Sequence, residues 1–529
     1  MSNSDERKPG ERASRRITGL LIAFCFLAAL VPLCYTLYTH HIWEDFFITF
    51  RCSRNLAEGN GLVYEAGKRV HVFTSPLGVL LPAMCYRLTG LSGYESALWL
   101  FRILFCIPAF VLGGVFVVRI MYSEYREKSL VPVAAAGLFY LLDVKAVMFS
   151  VNGMETAFML FFFAASLYFL ITDFNGKWLL SGISWGGLMW TRPDSCIYIG
   201  VVMLTAFLFS ENRKETVTAV LKAAGVTTVL YLPWFGGAWL YYGSPVPNTV
   251  LAKGAISNFS LSAVISRLPY HISWAFEPVY ASEGWPGSVH VFALTLAFFC
   301  FIYWMLPLKD KFGRRLSFMF FLLSFYFAFM TYPYPWYYPP FTMLGSIILV
   351  NGIWKIFSGA GKYRICGPIF LIPITVYMLL LFGMVSYQMK MQQELIETGL
   401  RRQIGLWLKD HVRPGEKVYL ECLGYIGYFS GAEMLDYPGL ATPESVKAIA
   451  EKGCNMSTLI DELKPDWVVL RSGEAEVAMK YAFFVRDYRY ICHFSAINRI
   501  KNAGFIPGYG YLYHDATFAV YRRVGTGKK

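Results

Sequence analysis

Charge is what this sequence has least of. Asp, Glu, Lys and Arg together supply 16% of its 529 residues, against roughly 25% in a soluble globular chain. Acidic residues are the scarcer kind, 35 against 48 basic, for a net charge of +13. A basic balance suits nucleic acid when Lys and Arg cluster on a soluble face. Here they fall in short segments between apolar runs, where they orient helices instead, which excludes nucleic acid as a partner. The eleven cysteines contain no C-x-x-C pair, so a zinc-finger arrangement is excluded. His40 and His41 have no third ligand at metal spacing and read as interface residues. Low-complexity tracts are missing. So are the matching halves of a repeat-built transporter.

What the sequence has in their place is apolar length: 56% of its residues are hydrophobic. The runs 17–37, 97–121 and 365–387 each reach the ~20 residues that cross a bilayer. The first follows a basic leader, Lys8-Pro-Gly-Glu-Arg-Ala-Ser-Arg-Arg16, and is too long for a cleaved signal core. It reads as a retained span with its N-terminus in the cytoplasm. Further spans are expected near 129–149, 154–172, 178–191, 195–210, up to 242, 286–307, 315–332 and 338–357. The segment 75–91 is short and interrupted by Pro82 and Arg87, so it is expected along the interface. Charged segments at 123–128, 211–215, 309–315 and 359–364 fall on the inside, as the positive-inside rule asks. The total is about eleven spans, and an odd number puts the C-terminus outside.

The expected organisation is a transmembrane domain over 1–387, with a first outside loop at 40–75, and a soluble α/β domain over 388–529. In the latter, 418–422, 467–470 and 518–521 read as strands, and 400–411, 445–452 and 458–463 as helices. Asp436-Tyr-Pro-Gly-Leu440 reads as a turn, and no residue of this domain stands out as catalytic. If it faces an oxidising compartment, two of Cys422, Cys454 and Cys492 are candidates to pair.

The first outside loop carries the chemistry: Trp43-Glu-Asp-Phe-Phe-Ile-Thr-Phe-Arg-Cys-Ser-Arg-Asn-Leu-Ala-Glu-Gly-Asn-Gly-Leu-Val-Tyr64. Glu44 and Asp45 are adjacent carboxylates where the first span meets water. Neighbouring like charges raise one another's pKa and favour one base and one partner acid; a solvated helix end is the plainer alternative. Arg192, between two apolar segments, is costly at membrane depth and so a candidate for function. Its fork suits phosphate oxygens, or a salt bridge to Asp194 or Glu155. The aromatic run 332–338 with Trp336 and Tyr337 suits either an interfacial belt or sugar stacking.

The first-loop run, with Phe73-Thr-Ser-Pro-Leu77, resembles the GT-C superfamily of integral-membrane glycosyltransferases. Within it, the sequence is similar to the terminal arabinofuranosyltransferases of actinobacterial cell walls and to related pilin arabinosyltransferases. Asn152-Gly-Met-Glu-Thr156, Thr191-Arg-Pro-Asp194, Tyr242-Gly-Ser-Pro-Val-Pro-Asn-Thr249 with Lys253, and Gly424-Tyr-Ile-Gly-Tyr428 extend the resemblance over nearly the whole chain. It implies an inverting transfer of a sugar, arabinofuranose by this resemblance, from a polyprenyl-phosphate donor to a glycan or protein acceptor. The setting it implies is the outer face of a bacterial inner membrane, with the C-terminal domain in the periplasm. Asp45 is expected to be the base, with Glu44 in support. Arg192, Lys253 and Arg51 are expected at the donor phosphate, and Glu155, Asn248, Asp194, Trp336 and Tyr337 at the sugar or acceptor. No cofactor is called for, and the one metal the pattern admits is a divalent cation at the acidic pair. The alternative is a polytopic lipid or sugar transporter, or flippase, without transferase activity.

Overall fold

The structure, a computed structural model, describes residues 9–126, 128–255, 260–330, 334–357 and 366–524. Lys8 of the leader, position 127, positions 331–333 of the aromatic run and the inside segment 359–364 fall outside the described residues.

Among the described residues, eight helices are long and apolar enough to cross a membrane, from Arg16–Thr39 to Gly367–His411. The pair Val131–Leu142 and Val144–Val151, bent by 53°, makes a ninth if it is one broken span and not a re-entrant loop. At the bend Asp143 caps the second helix, its Oδ1 accepting from the N–H of Lys145 (3.0 Å) and Ala146 (3.2 Å). The remaining two expected spans, Trp178–Thr191 and Ser195–Leu208, have only 14 residues each. At 1.5 Å per residue that is about 21 Å, short of the ~30 Å hydrocarbon layer. The break between them is local chemistry: Pro193 disfavours helix at the residue before it, and Arg192 is extended at φ −158°, ψ 138°. The protein is thus a multi-pass membrane protein, with eight or nine spans by length where about eleven are expected from hydropathy.

Segment 75–91 is the 13-residue helix Pro76–Leu88, too short to span. It lies beside the first-loop helix Glu44–Glu58, to which Ser53 Oγ ties it by donating to the Val79 carbonyl at 2.8 Å. The first-loop helix buries Phe46, Phe47 and Phe50 and ends at Gly59, whose φ of 87° is the left-handed stop that glycine allows.

The last apolar helix, Cys366–Gln392, continues without interruption through a π-helical stretch, Gln393–Arg401, into Arg402–His411. Beyond it lies a five-stranded sheet of order β2-β1-β3-β5-β4. β1 (Lys417–Leu420) pairs in parallel with β2 (Glu433–Asp436) and β3 (Trp467–Arg471). β5 (Thr517–Arg523) runs antiparallel to both β3 and β4 (Tyr488–Ser495). β1, β3 and β5 overlap the three expected strands, and helices Pro443–Lys452 and Met456–Leu463 overlap two expected helices. Cys422, Cys454 and Cys492, the candidates for pairing, are all free thiols in this structure.

One buried cluster joins Ile48, Tyr64 and Phe73 of the first loop to Leu400, Ile426 and Trp467 of the C-terminal part. Apolar surface shared in this way holds the two together by burial. It places the sheet domain over the same end of the helix bundle as the acidic loop.

Candidate active site

A cavity of about 410 Å³ opens where the first loop, the membrane bundle and the sheet domain meet. That volume lies within the usual range for a small-molecule site. Its floor carries Glu44 and Asp45, the first two residues of the helix Glu44–Glu58. A helix N-terminus favours negative charge. The helix start is fixed by the Trp43 N–H donating to the Asn152 carbonyl at 3.0 Å. The next residue, Gly153, has φ +102°, and a Cβ there would stand 2.4 Å from the Phe46 ring. The Asn152-Gly153 pair is therefore a seat for the acidic helix.

Burial raises both acids, to different extents. Glu44 goes well above the ordinary carboxylate range through desolvation, opposed by Arg401 and reinforced by the Asp45 charge. Asp45 is also raised by desolvation, but Lys253 and a hydrogen bond from the Glu44 side chain pull it back. Of the two, Asp45 is the acid with a cation, Lys253, favouring its charged form, and Glu44 is the one held most firmly by burial toward its protonated form. Glu44 Oε1 also accepts the backbone N–H of Gly424.

Two cations line the same cavity as this pair. Arg192 is buried, its Nη1 donating to Glu155 Oε1 at 3.0 Å and its Nε to Asp194 Oδ1 at 2.9 Å. Its guanidinium lies 3.8 Å from the Tyr337 ring centre. Lys253, on the helix Asn248–Ala255, donates from Nζ to Tyr337 Oη at 3.3 Å and sits 4.5 Å from the Tyr334 ring centre. Trp336 is buried edge-on to Trp43 at 5.5 Å, and Tyr334, Trp336 and Tyr337 of the aromatic run line the cavity. Among the described residues no three of His, Cys, Asp and Glu converge on a metal-binding set; the positive charge beside Asp45 is Lys253.

The structure thus brings Glu44, Asp45, Glu155, Arg192, Lys253, Trp336 and Tyr337 to one cavity. It does not bring Arg51, Asn248 or Asp194 there. Arg51 is buried elsewhere, donating to the carbonyls of Gly427 (2.8 Å) and Ala432 (3.0 Å) and pairing with Glu65 at 2.9 Å. It stitches the first loop to the sheet domain and lies outside the cavity. Asn248 makes the same kind of stitch, its Nδ2 donating to Gly439 and Leu440 carbonyls at 2.6 and 3.1 Å. Asp194 stands behind Arg192, where its Oδ2 also accepts from Tyr326 Oη at 2.7 Å.

The sheet domain contributes a wall that the sequence does not announce. Arg401 Nη1 donates to both Glu397 oxygens (2.8 and 3.0 Å), and Nη2 to Asp515 Oδ2 at 2.6 Å. Asp515 is shared with Arg471, which also reaches Glu421 at 2.6 Å. Burial alone would raise Asp515, but the two guanidiniums hold it down at about 2. The only sequence signal is Arg401 itself, on a helix that a membrane span feeds directly; its partners lie too far along the chain for spacing to join them.

With this geometry in hand, comparison with known proteins gives a consistent class. Archaeal oligosaccharyltransferase AglB from Archaeoglobus fulgidus, in complex with an inhibitory peptide and a dolichol-phosphate, superimposes with a TM-score of 0.56 at 11% identity. The match covers 95% of this chain and 88% of that one. ArnT from Cupriavidus metallidurans in the apo state gives a TM-score of 0.55 at 12% identity, over 96% of this chain and 98% of that one. The same enzyme bound to undecaprenyl phosphate gives 0.52 at 13% identity, over 96% and 99%. The chain therefore has the GT-C fold.

Its sequence relatives are more particular. It is 27% identical over 241 residues to a terminal beta-(1->2)-arabinofuranosyltransferase of Corynebacterium glutamicum, covering 40% of this chain and 33% of that protein. With the enzyme of the same name from Mycobacterium tuberculosis it is 24% identical over 223 residues, covering 40% and 35%. The chain spans about a third of the length of these curated relatives. Residues 386–521 match a domain of unknown function, DUF8728.

Proposed function

We propose that this protein is an inverting glycosyltransferase that moves a sugar from a polyprenyl-phosphate donor to an acceptor hydroxyl at the outer face of a bacterial plasma membrane. Arabinofuranose is the sugar its relatives' names suggest, with a glycan or protein as acceptor. The reading puts the sheet domain outside the cytoplasm. What carries it is one observation: the acidic pair Glu44–Asp45 and two cations, Arg192 and Lys253, line the same cavity at the end of a membrane bundle.

The step balances as follows. Asp45 takes the proton of the acceptor hydroxyl, and the oxygen attacks the anomeric carbon from the face opposite the phosphate. The new C–O bond forms as the bond from the anomeric carbon to the phosphate oxygen breaks, and the electron pair leaves with polyprenyl phosphate. Lys253 and Arg192 stabilise that developing charge in a water-poor site, where fixed cations act most strongly. Glu44, protonated, orients Asp45 and does not compete for the acceptor proton.

The test is sugar transfer by purified full-length protein from synthetic polyprenyl-phosphate donors, wild type beside Asp45→Ala. Transfer that disappears in a folded variant supports the reading. A folded wild type that neither transfers from nor binds such donors removes it and brings a lipid or sugar transporter forward.

A further inference from the structure

At the sheet-domain side of the cavity the last membrane helix changes geometry. Gln393–Arg401 is π-helical, and such widened turns occur mostly at functional sites. The consequence is a face that an α-helix would not present. Residues five apart diverge on an α-helix but stack on a π-helix. Accordingly Gln392 Nε2 donates to Glu397 Oε1 at 3.1 Å, and Thr398 Oγ1 donates to the Gln393 carbonyl at 2.7 Å. Arg401 follows on the same face through its pair with Glu397.

Two atoms of this face are left over. Arg401 is 3% exposed and Gln392 1% exposed, and both line the cavity. Arg401 Nε and Gln392 Oε1 are buried and have no hydrogen-bond partner among the described residues. One is a donor and the other an acceptor. A buried polar atom without a partner is costly, so the pair marks a place a ligand group can satisfy. A hydroxyl that reached both would accept from Arg401 Nε–H and donate to Gln392 Oε1.

Charge narrows the ligand further. Here Arg401 and Arg471 are already matched by Glu397, Asp515 and Glu421, so this end of the cavity holds no surplus positive charge for an anion. Tyr280 and Tyr511, stacked at 3.7 Å and 9°, both line the cavity and offer an aromatic wall.

We propose that Gln392 and Arg401 form a hydroxyl-reading subsite for a neutral, polyhydroxylated acceptor, a sugar ring at the sheet-domain side of the cavity. The assignment of this end to the acceptor rests on the transferase reading; the binding itself does not. The π-helical turn is what makes the subsite, and the sheet domain, through Asp515, holds Arg401 in it.

The experiment is saturation-transfer NMR of a neutral arabinofuranoside trisaccharide with full-length protein in nanodiscs, without donor. Gln392→Met removes the acceptor atom at constant size; Arg401→Lys keeps the charge and removes Nε. Melting curves report folding, and polyprenyl-phosphate binding serves as the control. The expected result is trisaccharide binding weakened about tenfold or more in Gln392→Met, with polyprenyl-phosphate binding unchanged, and a similar loss in Arg401→Lys if it folds. Equal trisaccharide binding by wild type and Gln392→Met overturns the proposal. So does a wild type that binds no neutral sugar, or one that prefers an acidic trisaccharide to the neutral one. Sugar binding that depends on Gln392 in a protein that never transfers would leave the subsite standing and remove the transferase reading alone.

Discussion

The backbone N–H of Gly424 donates to the carboxylate of Glu44, a residue 380 positions earlier. The sheet domain thus places a hydrogen-bond donor on the acid that partners Asp45. A Cβ on Gly424 would stand 2.1 Å from the Glu44 carbonyl oxygen and 2.7 Å from its carboxyl carbon. Since Gly424 has φ −71°, closeness and not backbone conformation demands the glycine.

Gly424→Ala is therefore expected to push the sheet domain off the acidic pair. Overpacking of this kind costs about 1–3 kcal/mol, visible as a lower Tm, and transfer should fall more than the Tm alone explains. Gly427→Ala is the comparison: its Cβ would meet the Tyr64 hydroxyl at 2.2 Å and Met434 at an ordinary 3.6 Å, away from Glu44, and its effect on transfer should be smaller. Tm and transfer rate measured together on both variants decide the point. Unchanged transfer in Gly424→Ala would show that the contact does not matter.

Glu44 is raised well above the ordinary carboxylate range, chiefly by burial. Folding therefore favours its protonated form. That stability is complete below the unfolded-state pKa and is lost as pH rises through the raised one. Glu44→Gln cannot ionise and keeps both hydrogen-bonding roles, so it should melt higher than wild type at neutral pH, with a flatter Tm against pH. It should keep transfer within about tenfold of wild type, whereas Asp45→Asn should lose about 10²–10⁴-fold. An equally dead Glu44→Gln would move the base from Asp45 to Glu44.

Lys253 and Arg192 should separate in their effects. Lys253→Met removes one charge-assisted contact worth about 1.5–3 kcal/mol, so donor affinity should fall roughly ten- to a hundredfold in a folded protein. Arg192→Met also strands Glu155 and Asp194, with which it pairs at 3.0 and 2.9 Å. Breaking a buried pair costs about 3–5 kcal/mol, and the expected result is poor folding as well as lost affinity. Titration of each purified variant with polyprenyl phosphate reads both.

Arg51 gives the opposite pattern. Arg51→Met frees two backbone carbonyls and Glu65, so stability should fall by about 3–5 kcal/mol. The donor KM of the protein that remains folded should stay at the wild-type value.

Which of these parts were readable in the sequence follows from the reach of each signal. Apolar runs and the acidic pair are local, so the membrane bundle and the position of Glu44 and Asp45 were legible. The short helices around Arg192-Pro193 passed for spans because hydropathy averages over the break. β2, only four residues, and β4, whose burial is largely external, were too short or too exposed to stand out. Arg51 was legible as a first-loop cation, expected at the donor phosphate, but not its acceptors, because backbone carbonyls 376 and 381 residues away leave no mark in composition. For the same reason the Arg401–Asp515 pair, 114 residues apart, appears only in the folded chain. Motif glycines gained a reason from structure: Gly153 and Gly424 are contact points of the acidic helix.

The central claim is that the cavity cleaves a polyprenyl-phosphate sugar and passes the sugar on with inversion. The direct measurement is to incubate purified protein with a polyprenyl-phosphate arabinofuranose donor and a neutral oligosaccharide, then follow released polyprenyl phosphate and the anomeric configuration of the product by NMR. One polyprenyl phosphate released per sugar transferred, with the anomeric centre inverted and both signals gone in Asp45→Asn, is the result the account predicts. Retained configuration, or donor carried across a bilayer intact without cleavage, would contradict it.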